Sequence, residues 1–128
     1  HGAGFDGILL TPPPYVVPTE DETFAYYKTV SDAIRLPICV YNWPRGTGID
    51  MSVQLLSRLA ELDKVVAIKH STGNIGHFLN VFFALRDHVR VFGFTMDELG
   101  LTLVHNEGGA GRRSRQRPAG FLQRDLAW

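Results

Sequence analysis

The sequence predicts an α/β protein built on a parallel sheet, and three observations carry that prediction. Four short apolar segments are each followed by a turn and a helical pattern, at a spacing of roughly 25 to 32 residues. The segments are apolar on both faces, as strands of buried parallel sheets are. A chain of 128 residues with 45% hydrophobic content is long enough for one modest core. Two architectures satisfy this pattern, a doubly wound sheet and a (β/α)8 barrel. In both, the loops that follow the strands form the active face.

The elements follow in chain order. Residues 4–11, Gly-Phe-Asp-Gly-Ile-Leu-Leu-Thr, read as a short buried strand ended by Pro12, Pro13 and Pro14, which cannot continue a central ladder. Thr19 with Glu22 three residues on is a capping-box pattern, and Phe24, Tyr27, Val30 and Ile34 recur at helical spacing to about Arg35. A second strand spans residues 37–42, followed by a loop over 43–48. Asp50 or Ser52 then caps a helix whose Leu55, Leu56, Leu59 and Leu62 share a face. The third unit is a strand over 65–70, a Ser-Thr-Gly-Asn turn, and a helix from about Ile75 to Arg86 with Phe78, Val81, Phe82 and Leu85 inward. A fourth strand over 90–94 turns at 95–97 and leads into a helix reaching about Asn106.

Composition excludes several classes. No apolar run approaches the ~20 residues of a spanning helix, and the N-terminus lacks the basic-then-apolar layout of a signal peptide. The lone Cys39 lies inside an apolar strand, reads as core, and points to a reducing, cytoplasmic setting. His77, His88 and His105 show no paired metal-ligand spacing and read as surface or helix residues, so no metal is expected. The net charge of zero is uneven. Residues 1–111 carry 8 Lys and Arg against 12 Asp and Glu, a net of −4, while 112–128 carry 5 Arg against 1 Asp, a net of +4. Arg112, Arg113, Arg115 and Arg117 lack aromatic interleaving or a recognition fold, so nucleic-acid binding is not expected.

Polar residues at the strand ends are the candidates for chemistry: Thr11, Tyr15, Tyr41, Asn42, Lys69, His70, Thr95 and Asp97. No strand-to-helix loop contains Gly-x-Gly-x-x-Gly or a P-loop, which removes nucleotide binding and leaves no cofactor implied. Lys69 ends an apolar, β-branched run. Burial disfavours an ammonium and lowers a lysine pKa from ~10.4 toward ~7 to 8 in suitable sites, freeing the amine to attack a carbonyl. From the stretch alone, a solvated strand-end lysine and a Schiff-base nucleophile are both open readings.

Several motifs carry a resemblance. They are Gly-Phe-Asp-Gly-Ile-Leu-Leu, Pro-Pro-Tyr followed by Pro18 and Thr19, Leu-Pro-Ile-Cys-Val-Tyr-Asn-Trp-Pro with Thr-Gly-Ile-Asp, and Val-Ala-Ile-Lys-His-Ser-Thr-Gly-Asn. Lys69 falls 28 residues after Tyr41. In order and spacing over about residues 2–111 the chain resembles the dihydrodipicolinate synthase and N-acetylneuraminate lyase family, pyruvate-type class I aldolases built on a (β/α)8 TIM barrel. The resemblance implies a partial barrel of about four consecutive βα units, strands 4 to 7. It further implies that Lys69 forms an imine with pyruvate or a related 2-oxo acid, so that a carbon–carbon or carbon–oxygen bond is made or broken through an enamine. Tyr41 is similar to the family's proton-shuttling tyrosine, and Tyr15 to one that joins the relay across a subunit interface. Thr11, Asn42, Thr47 and Thr72 are expected to bind substrate, His70 to line the barrel, and the full-length protein to be a homo-oligomer, a tetramer or dimer.

The resemblance has departures. Dihydrodipicolinate synthases proper carry an arginine where this chain has Gly46, with Arg45 one place earlier, so another aldolase or dehydratase of the family is the leading expectation and the synthase itself the alternative. The family's Gly-Thr-Thr-Gly-Glu motif belongs to an early strand absent from these residues, and the chain opens on His1 inside what reads as a domain. Beyond Gly111 the sequence turns arginine-rich. Residues 1–111 are therefore expected to be a truncated barrel domain and 112–128 a tail foreign to it. A non-catalytic remnant of the fold is a further alternative.

Overall fold

A computed structural model describes residues 4–93. They form four parallel strands in the order β1-β2-β3-β4: β1 is Ile8–Leu10, β2 Ile38–Asn42, β3 Val65–His70 and β4 Arg90–Phe92. Between them lie α1 (Glu20–Ala33), α2 (Pro44–Thr47), α3 (Val53–Ala60) and α4 (Ile75–Leu85). Spatial order follows chain order, and the helices pack on one face of the sheet. A doubly wound sheet reverses direction and carries helices on both faces, so the arrangement is a segment of a (β/α)8 barrel.

Local chemistry sets the helix starts. The Thr19 hydroxyl accepts from the Glu22 N–H at 3.2 Å, while the Glu22 carboxylate accepts from the Thr19 N–H at 2.8 Å, closing the capping box. Glu20, Asp21 and Glu22 in the first turn complement the positive end of the helix. Ser52, rather than Asp50, caps α3 through the Leu55 N–H at 3.0 Å, and Asn74 caps α4 through the His77 N–H at 3.0 Å. Leu62 lies past the end of α3 but still packs on the core.

The core fills the space between sheet and helices. Tyr27 of α1, Leu55, Leu56 and Leu59 of α3, and Phe78, Val81 and Phe82 of α4 bury against Ile38, Val40, Val65, Ile68 and Val91. Each fully buried aliphatic chain contributes about 1.5–3 kcal/mol. The Tyr27 hydroxyl donates to the Leu10 carbonyl at 2.6 Å, fastening α1 to the carboxyl end of β1.

The opposite sheet face has no helix over it among the described residues. It carries Leu9, Cys39, Val66, Ala67 and Phe92. Val66 and Ala67, although consecutive, both pack with Cys39, because the β2–β3 register shifts by one residue between Ile38 and Cys39. That bulge brings Tyr41 level with Lys69.

Two expectations are corrected. The first strand is shorter than residues 4–11 and not uniformly buried: Leu9 is 53% exposed, because β1 has one neighbour among the described strands and Leu9 points to the helix-free face. Residues 43–48 are not simply a loop. Pro44 presets the helical φ and lacks only an N–H that would have no partner anyway, and Gly48 closes the turn at φ 75, giving the short helix α2. The turn at 95–97, the helix to Asn106 and the tail at 112–128 lie outside the described residues. Among those described, no helix is long and apolar enough to cross a membrane.

Candidate active site

Alternation along β2 and β3 decides which strand-end side chains meet. Tyr41 pairs with Lys69, and Lys69 pairs in turn with Phe92 of β4. Lys69 and Tyr41 share the helix-free face with Cys39 and Ala67, at the carboxyl ends of adjacent strands. The Lys69 Nζ stands 4.4 Å from the centre of the Tyr41 ring. Both side chains are half-buried. The Tyr41 ring also stacks on Trp43, with centroids 5.8 Å apart and planes 12° from parallel. Two residues beneath Tyr41, burial pushes the Cys39 thiol up to about 12, against a smaller opposing pull from Lys69, which keeps it protonated.

Asn42 and His70, one residue on, face the opposite way. Asn42 is fully buried on the helix side. Its amide donates to the Asp50 carboxylate at 2.8 Å and to His70 Nδ1 at 2.9 Å, and its carbonyl oxygen accepts from the Met51 N–H at 3.1 Å. That geometry makes Nδ1 the acceptor and places the His70 proton on Nε2. His70 therefore does not line the helix-free face. It is fully buried, stacked on Phe78 and edge-on to His77. Burial, reinforced by His77, lowers its pKa to about 4 and holds the ring neutral.

Asp50 is the hub joining the two strand ends. Besides Asn42, it accepts from the Thr72 hydroxyl at 2.9 Å and lies 3.4 Å from His77 Nε2. That nitrogen donates to the Met51 carbonyl at 2.7 Å. His77, within α4, is thus half-buried and engaged, whereas His88 is exposed. Thr72 also accepts from the Asn74 N–H at 3.2 Å, shaping the turn that follows Lys69.

The remaining expected residues are placed as follows. Thr11 directly follows β1 at the same end of the sheet and is half-buried. The Thr47 hydroxyl engages the Trp43 and Ile49 carbonyls at 3.0 and 3.3 Å, within the α2 turn. Tyr15 is fully exposed, with φ 67 in the left-handed region that bulky residues rarely occupy. The structure thus brings Lys69 and Tyr41 together, turns Asn42 away from them, and leaves Tyr15 in solvent. Among the described residues no group of three or more His, Cys, Asp or Glu is placed to hold a metal ion.

Sequence reasoning missed Trp43 and Asp50. Trp43 gave no signal beyond lying two residues past Tyr41, and Asp50 was legible only as a helix cap. The clue to its larger role was an acidic residue in a loop returning to the level of two strand ends.

Comparison with known proteins gives consistent matches. Residues 1–114 match the Dihydrodipicolinate synthetase family. A 4-hydroxy-tetrahydrodipicolinate synthase from Oceanobacillus iheyensis is 34% identical over 89 residues, covering 70% of this chain and 30% of the relative. Dihydrodipicolinate synthase from Acinetobacter baumannii, solved in complex with pyruvate, superposes with a TM-score of 0.67 at 36% identity, over 70% of this chain and 31% of that one. A prophage protein of the dihydrodipicolinic acid synthase family from E. coli, also in complex with pyruvate, superposes with a TM-score of 0.74 at 30% identity, over 86% of this chain and 38% of that one. The chain thus spans about a third of the length of the relatives it matches.

Proposed function

The chain belongs to the dihydrodipicolinate synthetase family, and on that premise we propose that it carries the imine-forming site of a lyase acting on pyruvate or a related 2-oxo acid, with Lys69 as nucleophile and Tyr41 as proton carrier. The observation that carries this reading is the Lys69 Nζ held 4.4 Å from the Tyr41 ring at the paired ends of β2 and β3. The pyruvate complexes of two relatives support the substrate class.

The steps follow from the residue types. The neutral amine of Lys69 attacks the keto carbon, forming a carbon–nitrogen bond and an alkoxide that takes a proton. Loss of that oxygen as water leaves an iminium. The cationic nitrogen then accepts the electron pair released when a proton leaves the adjacent carbon, giving an enamine that attacks an electrophile. In the reverse direction the same sink accepts the pair of a breaking carbon–carbon bond, and loss of a hydroxyl further along the chain gives a dehydratase. Tyr41 passes protons to and from the departing oxygen in this reading.

The other site residues take supporting roles in this reading. Thr11 and Thr72 border the substrate, while Asn42 and Thr47 act by holding the loops rather than by touching it. Tyr15 serves a second copy of the chain in a homo-oligomer. Gly46 offers no cation to a distal carboxylate, which favours an aldolase or dehydratase other than the synthase itself.

Incubation with pyruvate and borohydride, followed by mass mapping, tests the proposal. A reduced pyruvyl adduct is expected at Lys69 and at no other lysine, and it disappears in Lys69→Arg. A folded protein that gives no adduct refutes the imine role and leaves a non-catalytic remnant of the fold.

A further inference from the structure

Lys69 and Tyr41 lie half-buried on the helix-free face, while the side-chain bonds that join their two strand ends lie on the other face. Asn42 follows Tyr41, and His70, Ser71 and Thr72 follow Lys69. Asp50 spans the two ends. One oxygen of its carboxylate accepts from the Asn42 amide at 2.8 Å, and the other accepts from the Thr72 hydroxyl at 2.9 Å. The Asn42 amide also donates to His70 Nδ1 at 2.9 Å, and the Asn42 main-chain carbonyl accepts from the Ser71 N–H at 2.9 Å. Asp50 has an anchor outside both strands. Its neighbour Met51 is fully buried, donates its N–H to the Asn42 side-chain oxygen at 3.1 Å, and accepts from His77 of α4 at 2.7 Å.

We infer, resting on the imine reading of Lys69, that Asp50 is a positioning residue for imine formation. Its two oxygens set the level of the β3 end against the β2 end, and with it the approach of the Lys69 amine to Tyr41. Parallel partners match one to one here, Tyr41 with Lys69 and Asn42 with His70. A shift of the β3 end along β2 therefore carries Lys69 past Tyr41 by the same amount. A reacting pair misplaced by about 1 Å loses on the order of 100-fold in rate. Position rather than charge is the variable, because the carboxylate bonds to side chains that face away from the amine.

The step affected is loss of water from the adduct of amine and keto group. The nitrogen lone pair forms the carbon–nitrogen double bond as the carbon–oxygen bond breaks, and Tyr41 hands the departing oxygen its proton. That transfer depends on the distance Asp50 holds.

The test follows the single-turnover appearance of the pyruvyl adduct at Lys69 in the full chain, trapped by borohydride and weighed. Each rate is taken per native molecule, with the native fraction fixed from the urea midpoint. A residue that only stabilised the fold would lower that midpoint and leave this rate unchanged. Asp50→Asn keeps an acceptor for Asn42 and a polar partner for Thr72, and is expected to retain at least about a third of the rate. Asp50→Glu keeps the charge but carries the carboxylate one methylene further. It is expected to lose about tenfold or more, by the same factor from about pH 6 to about pH 9. Asp50→Ala loses as much alone, but less than about twofold when Tyr41→Phe is also present, because residues acting through one geometry are not additive. Should Asp50→Ala fail to fold, the Asn and Glu variants decide. Asp50→Glu within about twofold of the wild-type rate, Asp50→Asn as impaired as Asp50→Glu, or equal losses from Asp50→Ala with and without Tyr41→Phe overturns this inference and leaves the imine reading standing. Absence of any pyruvyl adduct on the folded wild-type chain overturns both.

Discussion

Replacing Asp50 tests the hub beneath the strand ends. The carboxylate accepts from the Asn42 amide at 2.8 Å and the Thr72 hydroxyl at 2.9 Å, and lies 3.4 Å from His77. In Asp50→Ala the Asn42 donor loses its acceptor while remaining fully buried, a loss of about 1–3 kcal/mol. The Thr72 bond is exposed and adds only about 0.5 kcal/mol, because water replaces it. The His77 contact is long and its partner is 40% exposed, so its share is about as small. The expected total is about 2–4 kcal/mol, read as a fall in the urea midpoint with an unchanged slope. Asp50→Asn keeps an acceptor oxygen for Asn42 and should lose under about 1 kcal/mol. A loss under about 0.5 kcal/mol in Asp50→Ala, or equal losses in both variants, would refute the hub.

Further outcomes follow from other buried groups. His70 titrates at about 4 in the fold against 6.5 as a free side chain, so the unfolded chain binds its proton first and stability falls as pH drops from about 6.5 to about 4. The fall is on the order of 3 kcal/mol in urea titrations, and His70→Gln, which keeps an acceptor for Asn42, should flatten that slope. Cys39, buried with its thiol pushed up to about 12, should react with a thiol-specific reagent at pH 8 some thousandfold more slowly than a free cysteine and at the ordinary rate in urea. A fast native reaction would show the strand to be open there. Thr19→Ala removes half of the capping box and should cost about 1 kcal/mol in the same unfolding experiment.

What could be read from the sequence was local or repetitive. Thr19 and Glu22 meet across a single helical turn, so the residues alone specify the contact, and the spacing of Leu55, Leu56 and Leu59 fixes a buried face in the same way. The βα rhythm of the described strands was legible because a parallel sheet leaves few arrangements, whereas Tyr41 beside Lys69 was expected only from the motif resemblance. What could not be read depends on distant partners. Asn42 and Tyr41 are neighbours at one strand end, and only the sheet's facing decides that one meets Lys69 and the other His70. The burial of His77 is set by Met51 and Asp50, from a different loop. Leu9 looks like core in an apolar strand and is exposed because no helix covers its side of the sheet among the described residues.

The irregular step in β3 makes gain and loss of a residue unequal there. Val66 and Ala67 together occupy a length that one residue would fill in a regular ladder. A deletion between Val66 and Ile68 can be absorbed by straightening that step, and Lys69 still emerges beside Tyr41. An insertion in the same stretch finds no slack, and by the period of two it turns Lys69 toward the helices and His70 toward the open face. In this strand, length drift toward shorter variants spares the lysine's direction, and drift toward longer ones reverses it.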